Sequence, residues 1–286
     1  VPSVREEAAT LLAAALWGTS FVVIKYGLSF TDPFLFLFLR YVAALLAVLL
    51  AYSLLGKKPD YSLLRQRVIF LLAFTTALGY LLQYAGLIVV SAMESALLVN
   101  TDVIFVAAMS YYFLHEAFTL RKGSSIAVGL LGVMLLTTGG TLSILNFRTI
   151  TGDILSLMAA FMWALNLIIN KKAVGRWRLL DIVFALVVWM LLLLSPFLVF
   201  SNTAITTPVL LVSSATGIFY SVIPYLLWSY GLKKISATSS AIILLTGIFF
   251  AALFSFVFLH ERLSPVELLG GVFILGAIYL SARETL

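Results

Sequence analysis

No cysteine occurs among the 286 residues, so disulfides and thiolate metal sites are excluded and the redox compartment is left open. Two histidines are too few for a histidine-built metal centre. Charge is scarce: 10% of residues are Asp, Glu, Lys or Arg, where a soluble domain carries roughly a quarter. The G-x-x-x-x-G-K-[ST] phosphate loop is absent, which argues against direct drive by ATP. What fills the chain is apolar. It is 63% hydrophobic, with 5 Trp, 12 Tyr and 22 Phe, a composition suited to lipid tails and the headgroup interface. The net charge of +6 would suggest nucleic acid in a soluble protein, but its distribution points to a membrane instead. The apolar stretch from Ala8 runs the length of a span with no small-residue cleavage pattern behind it, so no cleavable signal peptide is expected.

A membrane-spanning helix needs about 20 mostly apolar residues. That length predicts spans near 8–28, 34–55, 67–90, 92–114 and 122–140, then 151–172, 181–201, 208–232, 235–259 and 263–283. The expected fold is an all-α integral membrane protein of ten helices with short connections and no room for a soluble catalytic domain. With the N-terminus inside, the inner loops collect Lys57, Lys58, Arg65, Arg67, Arg121 and Lys122. They also collect Lys171, Lys172, Arg176, Arg178, Lys233 and Lys234, and Arg5 and Arg283 flank the termini. Lys25, Arg40, Arg148 and Arg262 are left for the other side. This asymmetry predicts a multi-pass protein of the cell membrane with both termini cytoplasmic.

The two halves, 1–145 and 146–286, resemble one another at fixed offsets. Phe113-Leu114-His115-Glu116 recurs 145 positions later as Phe258-Leu259-His260-Glu261. At the same offset Tyr80-Leu81-Leu82 matches Tyr225-Leu226-Leu227, Gly86 matches Gly231, and Ser91-Ala92 matches Ser236-Ala237. Trp17 with Lys25 recurs as Trp163 with Lys171. Five spans per half is an odd number, so the second half is expected upside down, as in the inverted repeats of secondary transporters. Together these features resemble the drug/metabolite transporter superfamily, in particular its ten-span EamA-type members, over essentially the whole chain. The residues carrying the resemblance are Trp17-Gly18-Thr19-Ser20-Phe21, Ser91-Ala92, Leu114-His115-Glu116 and Leu259-His260-Glu261. Gly129, Gly132, Gly270, Gly271 and Gly276 in the last span of each half add to it. The family often has Glu-Pro in the middle of spans four and nine; here those places read Asp102-Val103 and Gly247-Ile248.

Asp102 stands near the middle of its span, where an ionised carboxylate costs at least ~2.5 kcal/mol. It is read either as a proton-coupling or substrate-cation site or as a protonated carboxyl bonded to a neighbouring helix. Glu94, Lys25 and Arg40 share one side of the membrane and are candidates for an ion-pair gate. For Lys25 snorkelling to the headgroups is the better reading, whereas the deeper Arg40 calls for a protein partner. Trp163, Asn166 and Asn170 form a stripe at i, i+3 and i+7, echoed by Trp17 and Ser20, by Tyr80, Gln83 and Tyr84, and by Tyr225, Trp228 and Ser229. Taken singly each is as well explained by helix packing; as a set they suit a central pocket for an amphipathic organic molecule. Pro224 sits mid-span where the other half has Gly79, a pair read as matched flexing points or as packing devices. The two His-Glu pairs are read as helix ends.

The function expected is secondary transport of a small organic metabolite by alternating access through a central cavity. The resemblance implies export of amino acids or related compounds. A lipid or amphiphile translocator is the alternative, and an intramembrane enzyme ranks lower because no nucleophile with its base lies at membrane depth. Expected partners are the substrate, the bilayer and, through Asp102 or Glu94, protons; no cofactor, metal or nucleic acid is expected, and the chain is read as a monomer.

Overall fold

A computed structural model describes residues 4–90, 92–141, 150–258 and 264–282, and among them there is no strand. The helices are α1 (Val4–Leu28), α2 (Pro33–Leu54), α3 (Arg67–Val89), α4 (Ala92–Val99), α5 (Asp102–Leu114), α6 (Leu120–Thr138) and α7 (Ile150–Val174). They continue as α8 (Leu179–Leu194), α9 (Thr207–Gly217), α10 (Ile223–Leu232), α11 (Ala237–Leu244), α12 (Thr246–Phe258) and α13 (Pro265–Ala282). Eight helical stretches among the described residues are long and apolar enough to cross a membrane, and Pro265–Ser281 is a shorter apolar one. α1 adds 25 residues, about 37 Å at 1.5 Å per residue.

These helices are apolar on nearly every face, as α8 with LLDIVFALVVWMLLLL illustrates. Amphipathicity therefore cannot sort inside from outside. Leu46, Leu50, Leu120, Tyr112 and Leu192 stay exposed, as side chains facing lipid would, while the polar residues gather inside. α6 packs on α13, α3 on α7 and α8, α1 on α10 and α12, α2 on α8 and α9, and α5 on α7 and α11. Small residues set the closest crossings. A Cβ on Gly18 would stand 2.1 Å from the Gly247 carbonyl oxygen, and one on Gly132 would stand 2.7 Å from that of Gly270.

The stretches 92–114 and 235–259, each expected as a single span, are each interrupted. α4 gives way to α5 at Asn100–Thr101, and α11 to α12 at Leu245. No proline is involved. Asn100 Nδ2 donates to the Ala96 carbonyl at 2.7 Å, Thr101 Oγ1 to Leu98 at 2.6 Å and Thr246 Oγ1 to Ile243 at 2.6 Å. Side chains thus compete for backbone carbonyls that the helix would use, and tighter i→i−3 bonds follow, such as Thr101 N–H to Leu98 and Ile248 N–H to Leu245. The two breaks lie 145 positions apart, the same spacing as the sequence repeat.

Candidate functional site

Pro224 organises the centre of the molecule. It has no N–H, so the carbonyl four residues back, that of Tyr220, loses its helical donor. The backbone responds with a π-turn over Ile218–Val222 between α9 and α10. Two donors from the first half of the chain fill the vacancy: Trp17 Nε1 at 3.1 Å from α1, and Arg40 Nη2 at 2.8 Å from α2. Arg40 Nε also donates to Ser221 Oγ at 2.6 Å. The guanidinium carbon lies 5.7 Å from the centre of the Tyr80 ring, and the Tyr41 and Tyr84 phenols are further neighbours. Arg40 is 1% exposed, yet Nη1 has no hydrogen-bond partner, and among the described residues no carboxylate stands within ion-pair distance of it.

Aromatic rings continue from this cation in both directions. Trp17 meets Trp228 edge-on at 5.7 Å, and Trp228 meets Tyr225 at 5.4 Å while its Nε1 donates to Ser240 Oγ at 3.0 Å. On the other side Tyr80 meets Trp163 edge-on at 5.0 Å and Tyr84 at 6.0 Å, and Trp163 Nε1 donates to Gln83 Oε1 at 3.2 Å. Gly79 leaves room for that indole: a Cβ there would lie 3.1 Å from the Trp163 ring. Trp17, Tyr80, Gln83, Tyr84, Trp163, Trp228 and Arg40 are therefore linked in one chain of contacts drawn from both halves.

Other nominated residues are engaged elsewhere. Asn166 is buried and ties α7 to α3, its Nδ2 donating to Thr76 Oγ1 at 2.7 Å, Leu72 O at 3.0 Å and Thr75 Oγ1 at 3.1 Å. Asn170 donates to Ser229 Oγ at 3.1 Å, and its buried Oδ1 has no partner. Ser20 Oγ donates within its own helix, to the Trp17 carbonyl at 2.6 Å. Asp102 occupies the first turn of α5, directly after the Asn100–Thr101 break. The side chains of Lys25 and Glu94 lie outside the described residues, as do Ser91 and Leu259-His260-Glu261. The sequence reading did not single out Tyr220, Ser221, Tyr41 and Ser240. The one signal for Tyr220 was the proline four positions on.

Polar ties also close the helix ends. Asp32 caps α2 and accepts from Ser201 and Thr203; burial pushes its carboxyl up, but these hydroxyls and the Leu35 and Phe34 N–H groups outweigh it and hold the pKa below the ordinary value. Asp181 accepts from Tyr52, from Arg178 and from the Asp60 N–H at 3.2 Å. Glu116 accepts from the Ala237 N–H at 2.6 Å, capping α11, and the preceding His115 ends α5 with φ 54°. Lys171 Nζ donates to the Leu232 and Ile235 carbonyls, each at 2.6 Å. A cavity of about 540 Å³ between α5 and α6, lined by Ile104, Ala107, Ala108, Tyr111, Phe118, Gly123 and Ile126, involves none of the nominated residues. Among the described residues no cluster of three His, Asp or Glu could hold a metal ion.

Comparison with known proteins gives a concordant picture. The EamA-like transporter family model matches residues 5–138 and again residues 150–283. An uncharacterized transporter of Archaeoglobus fulgidus is 28% identical over 280 residues, 96% of each chain. A probable amino-acid metabolite efflux pump of Salmonella typhimurium is 28% identical over 301 aligned positions, covering 95% of this chain and 92% of its own. A crystal structure with 15% identity superposes with a TM-score of 0.86 over 98% of each chain, a likeness of fold.

Proposed function

The chain belongs to the EamA-like transporter family, and from that premise we propose that it is a secondary transporter moving small organic metabolites by alternating access. Counting α4 with α5, α9 with α10 and α11 with α12 gives ten spans. Exchanging each span with the one five later carries the observed packing partners onto one another: α1 on α10 becomes α7 on α3, α1 on α12 becomes α7 on α5, and α2 on α9 becomes α8 on α3. This supports two five-helix repeats, 1–145 and 146–286, of inverted orientation. The lysine and arginine distribution supports cytoplasmic termini in the cell membrane.

The observation that carries the reading is the buried junction of Trp17, Arg40 and the Tyr220 carbonyl, where both halves meet in mid-span beside aromatic walls. Substrate would enter there and contact Trp17, Tyr80, Tyr84, Trp163 and Trp228, with Asp102 serving proton coupling at the break in span four. Rocking of the halves would part the Asp32 tie on the outer side and the Glu116 and Asp181 ties on the inner side in alternation. Pro224 and Gly79 would be the flexing points. The efflux-pump relative favours outward movement of amino acids or related compounds. The test is uptake of labelled metabolites into proteoliposomes with and without an imposed pH gradient. Saturable uptake is expected, and gradient-dependent uptake abolished by Asp102→Asn would assign the coupling. Absence of saturable uptake across amino acids, organic acids and amines would contradict the reading.

A further inference from the structure

We infer that Arg40 is the receptor for a carboxylate on the transported molecule, so that the carried solutes are organic acids or zwitterions rather than amines; the inference rests on the transport reading above. Arg40 is among the largest fully buried side chains of the protein. A guanidinium offers five N–H donors in a rigid fork matched to a carboxylate. Here Nε and Nη2 meet two neutral oxygens, those of Ser221 and the Tyr220 backbone, the neutral Tyr80 phenol lies beside the guanidinium, and Nη1 has no acceptor in hydrogen-bond geometry. The face of Tyr80 and these two dipoles soften the cost of a buried cation without neutralising it. The ion pairs found among the described residues, Arg178 with Asp181 and Lys234 with Glu6, lie at helix ends.

The repeat shows that the charge exceeds what the fold needs. At an offset of 145, Tyr220 and Ser221 correspond to Thr75 and Thr76. That second pair is tied to the neighbouring helix by the neutral amide of Asn166. A mid-span polar junction can thus be closed without a cation, and the residue at the same offset from Arg40 is the buried Ala185. A transported carboxylate would supply the missing counter-charge and accept from Nη1, while Trp17 and Tyr80 flank its apolar body. The π-turn is the element that would yield to admit it.

The experiment is uptake by the full chain in proteoliposomes of labelled amino acids and monocarboxylates, each competed by its amide and, for amino acids, by the decarboxylated amine. The expected result is transport of acids, with amides and amines weaker competitors by on the order of a hundredfold. Arg40→Gln should lower acid uptake by a similar factor, and Arg40→Lys should retain part of it. Equal competition by amides or amines, or acid uptake undiminished in folded Arg40→Gln, overturns the assignment. The competition series uses unaltered protein, so it decides the matter even where a variant fails to fold. Transport of amines alone removes the carboxylate receptor and leaves the transporter standing; transport of no solute removes both.

Discussion

Two polar junctions in the middle of this protein occupy repeat-related places and are closed in different ways. On α3, Thr75 and Thr76 receive one amide from Asn166, whose Nδ2 also reaches the Leu72 carbonyl. Between α9 and α10, Tyr220 and Ser221 receive a guanidinium whose Nη1 donates to nothing. Satisfied buried polar groups rigidify a bundle; an unsatisfied charge stores cost and marks a place where something else can bind. The first junction reads as a tie between helices, and the second as a site.

Removing each closure separates the two most sharply. Arg40→Met should lower acid transport by on the order of a hundredfold while leaving the melting temperature in detergent unchanged or higher, since an unpaired buried charge is replaced by an apolar chain. A steep fall in melting temperature would instead make Arg40 a structural tie. Asn166→Ala should do the reverse, costing about 1–3 kcal/mol of stability by denaturant titration with transport per folded molecule unchanged. Pro224→Ala would return an N–H to the Tyr220 carbonyl in competition with Trp17 and Arg40. Stability should then rise by about 1 kcal/mol, with slower transport. A change of similar size is Trp17→Phe, which deletes one hydrogen bond and trims the edge contact with Trp228, and should cost about 0.5–1.5 kcal/mol, read as a modest fall in melting temperature.

Helix existence was legible because the apolar runs are long, and the depth of Arg40 in α2 already called for a protein partner. Which partner was not legible. Tyr220 contributes a backbone carbonyl, which carries no residue-type signature, and only the proline four positions later hints that it is free. The stripe of Trp163, Asn166 and Asn170 was visible from spacing, yet it serves two neighbours: Trp163 and Asn166 turn to α3, Asn170 to α10. Spacing defines a face, not which helix lies against it. The interruptions at Asn100–Thr101 and Leu245 escaped notice because they are made by asparagine and threonine side chains rather than by proline.

The measurement that bears most directly on the central claim is the initial rate of uptake of labelled organic acids into proteoliposomes, per folded molecule, for the unaltered protein, Arg40→Gln and Asn166→Ala side by side. Saturable uptake in the unaltered protein, collapsed in Arg40→Gln and preserved in Asn166→Ala, is the predicted result. Equal rates in all three, or uptake lost in Asn166→Ala and kept in Arg40→Gln, would contradict it.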